Sequence, residues 1–155
     1  MEKQINHVTD FHQQIGEVCR THPELLLCEP EGDAILAQTL RRTIESFSRT
    51  DTPRSHLNKR ALMAIEELAE WLEAHVEGDL VAAADAWADR MYVLLGDAVA
   101  TGLPTEPLFD EVHRSNMTKA KSSRDSSKAQ KLEQYTRPDI GGILNQAAES
   151  LANRK

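Results

Sequence analysis

The chain has 155 residues, a formal charge of −7 from 18 basic and 25 acidic side chains, 40% hydrophobic content and 5% aromatics. The acidic balance argues against a general nucleic-acid binder, which is ordinarily basic. Few aromatics with recurring Ala and Leu favour helix over sheet. No apolar run approaches the ~18 residues of a membrane span, and MEKQINHVTDF lacks the charged-then-apolar pattern of a signal peptide, so the expected location is the cytoplasm. Cys19 and Cys28 lack C-x-x-C spacing and read as spectator thiols of a reducing compartment.

Apolar residues at three-to-four spacing predict a first helix over Gln4–Cys19, through Ile5, Val8, Phe11, Ile15 and Val18. THPELLLCEPEG follows as an irregular connection. A second helix covers Asp33–Arg49, and TDTPRS supplies turn residues. The third runs from about Leu57 to Val76 and stops at Glu77-Gly78. The fourth begins near Asp79 and ends at Thr101-Gly102-Leu103-Pro104, a Gly-then-Pro stop. A fifth helix is expected over Glu106–Lys119, a mobile polar loop over 120–137, and a last helix over Asp139–Asn153. The predicted architecture is a single all-α domain over 1–155, with its core at about 57–119. Its third and fourth helices form an antiparallel hairpin in a four-helix-bundle-like fold.

The fourth helix carries Asp85 and Asp89 one turn apart in ADAWADRMYVLLG. At roughly 100° per residue they share a sector with Val81, Ala88, Tyr92, Gly96 and Val99. Arg90, Asp97 and Thr101 gather elsewhere. Both aspartates are therefore expected on the apolar side, where a charge is costly unless paired or bound to a metal. In the third helix, IEELAEWLE sets Glu66, Glu67 and Glu70 on one face. That face alone reads as solvated, but Trp71 projects near Glu67 and suggests a groove. Together the two helices offer up to five carboxylates, which repel one another unless divalent cations lie between them. Oxygen-only ligands favour Mg²⁺ or Mn²⁺. Glu111-x-His113 lacks the Glu-x-x-His spacing of a di-iron bundle. HRSNMTK and the stretch after it bring Arg114, Asn116, Lys119, Lys121, Arg124, Lys128 and Lys131 into one basic run. This run reads either as a solvated loop or as a phosphate contact. Trp71, Trp87 and Tyr135 carry faces that can stack on a base.

EELAEW, then DAWADRMYVLLGDAVATGLP and FDEVHRSNMTK, resemble the MazG-like all-α nucleoside triphosphate pyrophosphohydrolase superfamily. HVTDFHQQIG and YTRPDIGGIL are similar to its small single-domain members, leaving only residues 17 to 56 outside the likeness. The superfamily signature is Glu-x-x-Glu followed, after a spacer, by Glu-x-x-Asp. Glu67 and Glu70 match the first pair, Asp89 the last position, and Glu66 the acid often found just before. Ala86 stands where the signature has Glu, and Asp85 beside it matches a D-A-L-A-D form of some relatives.

The resemblance implies a Mg²⁺-dependent enzyme in which water attacks the α-phosphorus of a (deoxy)nucleoside triphosphate, releasing monophosphate and pyrophosphate. It implies metal binding by Glu66, Glu67, Glu70, Asp85 and Asp89. It implies substrate contacts from Asn116 and Lys119, alongside Trp71, Arg114 and Tyr135. A homodimer or homotetramer follows from the family and from the apolar surface around the fourth helix. A pyrimidine deoxynucleotide, dUTP or dCTP, is the expected substrate, in nucleotide-pool house-cleaning without stable nucleic-acid or membrane partners. Two competing readings are phosphoribosyl-ATP pyrophosphohydrolase, set apart by the DFH start and the HRSNM-to-PDIGG tail, and a non-catalytic helical interaction module.

Overall fold

Caps and turn residues set the helix ends in the computed structural model, which describes residues 1–49, 55–121 and 129–153. These residues form α1 (Glu2–Ile15), α2 (Pro30–Ser48), α3 (His56–Glu77), α4 (Leu80–Thr101), α5 (Thr105–Asn116) and α6 (Ile140–Ala152), with no strand among them. The chain is all-α, as its periodicity predicts.

Helix α1 stops four residues before the Gln4–Cys19 expectation ends. Gly16 takes the left-handed conformation (φ 76°), and the chain folds back so that Glu17 N–H reaches the His12 carbonyl. Helix α2 starts three residues before Asp33, because Pro30 is pre-set for the first helical position, where no N–H partner is needed. Ser55 caps α3 by accepting from Asn58 N–H at 3.1 Å.

Two compact units make up the chain, His22–Thr101 and Met1–Thr21 with Gly102–Lys155. In the first, α3 packs against both α2 and α4. Gly78 (φ 75°) ends α3, and the Asp79 carboxylate starts α4 by accepting from Val81 and Ala82 N–H at 2.9 and 3.0 Å. Two residues thus turn the hairpin. The buried positions are small: Ala37 on α2, Ala69 and Ala74 on α3, and Ala83, Ala86 and Val93 on α4. On α3, Ile65, Leu68, Leu72 and Val76 are only half-buried.

One expectation about α4 is corrected. Val81, Tyr92 and Val99 are 80%, 80% and 84% exposed, and Asp85 and Asp89 are exposed beside them. Arg90 and Asp97, assigned to the outer sector, are half-buried and engage α3: Arg90 lies 4.8 Å from the Trp71 ring centroid and Asp97 pairs with Arg60. An almost uniformly apolar helix gives hydrophobicity no means of choosing its buried face. Cross-helix charges mark it here.

In the second unit, α5 packs against α1 and α6. Helix α5 ends at Asn116, before the expected Lys119, because Ala120 leaves it to pair backbone with Gln130 (N–H to O 2.9 and 2.8 Å). Part of the polar stretch expected as a loop, including Arg124 and Lys128, lies outside the described residues, as does most of TDTPRS. The Asp139 carboxylate caps α6 by accepting from Gly142 N–H at 2.9 Å. Both cysteines are free thiols.

Candidate active site

The acidic residues of α3 and α4 collect around Glu67. Its side chain is half-buried, and its Oε2 is buried with no hydrogen-bond partner. Burial, then the charges of Glu70, Asp89 and Glu66, push its carboxyl above the usual range, while Arg41 pulls the other way. Four of the five expected carboxylates therefore share one electrostatic neighbourhood. Asp85 meets this group at Glu70: with Glu70, Glu73, Glu77, Ala74, Ala82 and Ala86 it lines an open cleft of about 240 Å³. Glu70 belongs to both groups. Ala86 is buried at 4% exposure, so a Glu in its place would carry a charge into the helix interface.

Arg41 of α2 enters this acidic surface without any motif to announce it. Its Nε donates to Glu73 Oε1 at 2.9 Å and its Nη2 to Glu73 Oε2 at 2.6 Å, with Glu70 Oε1 3.5 Å from Nη2. The guanidinium holds the Glu73 carboxyl below its usual range. The only sequence sign of this contact is a base on a helix that precedes an acid-rich one.

Among the described residues, no three carboxylate, imidazole or thiol groups converge closely enough to grip an ion. The donor set nevertheless suits a hard divalent cation: carboxylate oxygens only, mutually repelling, one of them buried and unpartnered. Trp71 is half-buried on the same face, with Arg90 over its ring and His75 tilted against it at 4.4 Å.

The other expected substrate contacts lie in the second unit. Arg114 makes four hydrogen bonds, two to Glu111 (both 2.8 Å), one to Thr136 Oγ1 (2.8 Å) and one to the Arg137 carbonyl (3.0 Å). Glu111 also accepts from Asp139 N–H at 2.7 Å. Arg114 thereby ties α5 to the PDIGG start of α6. Lys119 Nζ lies 6.0 Å from the Phe11 ring centroid, and Lys131 Nζ 4.9 Å from that of Tyr135. A hydrogen bond with Ser115, followed by the charges of Lys131 and Lys119, holds the Tyr135 phenol below its usual range. Asn116 lines a slot of about 150 Å³ between α1 and α5, with His7, Val8, Phe11, Phe109, Val112 and His113. The imidazoles of His7 and His113 stack at 4.1 Å and 7°. His7 Nδ1 and Asp110 Oδ1 are buried without hydrogen-bond partners, 3.7 Å apart. The sequence reading missed this slot, whose only signal is a pair of histidines distant in sequence.

The profile of the phosphoribosyl-ATP pyrophosphohydrolase family matches residues 32–116, more than half of the chain, starting at the third residue of α2. A solved structure of a candidate NTP pyrophosphohydrolase from Exiguobacterium sp. 255-15 aligns at TM-score 0.57 and 20% identity, over 98% of each chain. At that identity the likeness is one of fold. No curated protein matches the sequence.

Proposed function

Since the chain belongs to the phosphoribosyl-ATP pyrophosphohydrolase family, whose members cleave pyrophosphate bonds, we propose that it hydrolyses a (deoxy)nucleoside triphosphate to the monophosphate and pyrophosphate. The observation that carries this reading is the buried, unpartnered Glu67 Oε2 amid Glu66, Glu70 and Asp89. A carboxylate so placed is costly to the fold and calls for a cationic ligand. Glu67, Glu70 and Asp89, with Asp85 and Glu66, are the residues that would hold Mg²⁺, or Mn²⁺ in its place. When bound, the ion neutralises triphosphate charge and makes water a better nucleophile.

The chain's own part is to collect these carboxylates on one hairpin and to orient the nucleophile. Glu66, exposed beside Glu67, accepts a hydrogen bond from the attacking water. The water oxygen bonds to the α-phosphorus, the bond to the pyrophosphate oxygen breaks, and the water proton passes to a carboxylate. Asn116 and Lys119 contact the substrate with Tyr135 and Trp71, and Arg114 steadies that region through Glu111 and Arg137. The exposed Val81, Tyr92 and Val99 support assembly as a homodimer or homotetramer. Cytoplasmic nucleotide-pool house-cleaning is the corresponding role.

The family match equally favours phosphoribosyl-ATP as the substrate. Incubation with each nucleotide and Mg²⁺, followed by a pyrophosphate assay, separates the readings. Release from a common dNTP supports the first, release from phosphoribosyl-ATP alone the second, and no release a non-catalytic module. Glu70→Gln should abolish Mg²⁺-dependent release while retaining the helical circular-dichroism spectrum; wild-type rates in that variant would refute the assignment.

A further inference from the structure

We infer that Gln14 is a positioning residue for the substrate's phosphates: together with Phe11 it fixes Lys119 where its ammonium meets them. The inference rests on the hydrolase reading above and adds a residue behind its substrate contact. Register comes first. Helices α1 and α5 run side by side in one direction, since Lys3 reaches Glu106 and Asp110 (3.2 and 2.7 Å) while Gln14, further along, reaches Met117 and Lys119. Phe11 and Gln14, at i and i+3, share a face of α1. Helix α5 ends at Asn116, so Gln14, in the last turn of α1, meets the chain just as it leaves α5.

Gln14 Nε2 donates to the Met117 carbonyl at 3.1 Å and to the Lys119 carbonyl at 2.6 Å. One amide nitrogen thereby commits both of its protons to the turn that carries Lys119. A second tie comes from Thr136, whose N–H donates to Thr118 Oγ1 at 2.9 Å, and Lys119 N–H donates to the Asn116 carbonyl at 2.9 Å. The Lys119 side chain then returns to α1, its Nζ 6.0 Å from the Phe11 ring centroid, at the ~6 Å reach of a cation–π contact. One face of one helix thus holds both ends of a single lysine. Such a side chain has given up its rotamer freedom before a ligand arrives, a cost that binding otherwise meets. The ammonium remains available, because no described carboxylate pairs with Lys119. Its charge and that of Lys131 both bear on the Tyr135 phenol, so two cations border one patch that attracts an anion.

The test titrates the full chain, with metal removed, against inorganic tripolyphosphate in a calorimeter. Gln14→Met keeps the length of the side chain and loses both donors, and it should weaken binding about fivefold. In a Lys119→Ala background the same change should have no further effect. No binding by wild type, equal affinity of wild type and Gln14→Met, or an equal loss in both backgrounds would overturn the positioning role. Kinetics supply a second readout: Gln14→Met should raise KM for the cleaved triphosphate by a similar factor with kcat little changed. A fall in kcat alone overturns the role. If Gln14→Met does not fold, Phe11→Leu, which removes the ring and keeps apolar bulk, must show the same weakening and the same dependence on Lys119. Tripolyphosphate binding that depends on Gln14, without pyrophosphate release from any nucleotide, would keep the positioning role and remove the hydrolase reading. Release that Gln14→Met leaves unaffected would do the reverse.

Discussion

Arg41 on α2 grips Glu73 on α3 with two nitrogens, Nε to Oε1 at 2.9 Å and Nη2 to Oε2 at 2.6 Å. The same guanidinium leans toward Glu70. This fork fastens α2 to the hairpin and supplies a positive charge beside an acidic surface. Arg41→Ala should destabilise the fold by about 1–2 kcal/mol, a charge-assisted bidentate pair discounted for its partial exposure. Arg41→Lys keeps the charge without the fork and should recover less than half of that. Urea melts of both variants measure the difference, and equal stability of wild type and Arg41→Ala would dismiss the fork as a fastening.

Glu67 presents the opposite balance. Its carboxylate is opposed by burial and by three neighbouring acids. Glu67→Gln removes the repulsion and should raise the metal-free Tm by about 2–4 °C for each kcal/mol relieved, while Mg²⁺-dependent pyrophosphate release disappears. Thermal melts with chelator, paired with the release assay, read both effects. A lower Tm with retained turnover would assign Glu67 a structural role.

Gly96 tests a competition of similar magnitudes. A Cβ there would lie 2.6 Å from Arg60 Nη2, and Arg60 is held by Asp97 and by the Val93 carbonyl at 2.8 Å. Alanine gains about 0.8–1 kcal/mol of helix propensity but pushes Arg60 out of both contacts, which are worth about 1.5–3 kcal/mol where a charge takes part. Gly96→Ala should therefore destabilise the wild type and stabilise the Arg60→Ala background. That reversal of sign is the measurement; gains in both backgrounds would show that Arg60 moves aside freely.

Acid should loosen the α5–α6 junction first. The Arg114 guanidinium, then the Asp139 N–H, hold Glu111 down to about 2, against about 4.3 for an ordinary Glu. Between these values the unfolded chain binds the proton and the folded one does not. Stability from this group is thus complete above the ordinary value and is lost as pH falls toward 2. Protection of the Gly142 and Ile143 amides, measured against their intrinsic exchange rates, should fall over that window in wild type. In Glu111→Gln it should be low throughout, without the pH step.

Local chemistry made much of this arrangement legible in advance. Gly78 followed by Asp79 stops one helix and starts the next, so the hairpin could be read directly. Glu66, Glu67 and Glu70 recur at helical spacing on α3, and their charges, with that of Asp89 on α4, bear on the Glu67 carboxyl. The failures have a common source in contacts between distant segments. Nothing near Arg41 points to Glu73, and nothing near His7 points to His113. Periodicity misassigned the faces of α4 because apolar residues surround it, leaving Arg60–Asp97 and Trp71–Arg90 to decide. Pro30 moved a helix start by three residues and Gly16 a helix end by four, through backbone preferences that outweigh apolar spacing.

The paired amides of Ala120 and Gln130 have an evolutionary corollary. They close a neck between Lys119 and Lys131. Once a neck is closed, doubling the enclosed length adds only about 0.6 kcal/mol of entropy. Insertions in this stretch should accumulate readily among descendants, and a reporter peptide grafted there should leave the flanking Lys119 and Lys131 where they stand.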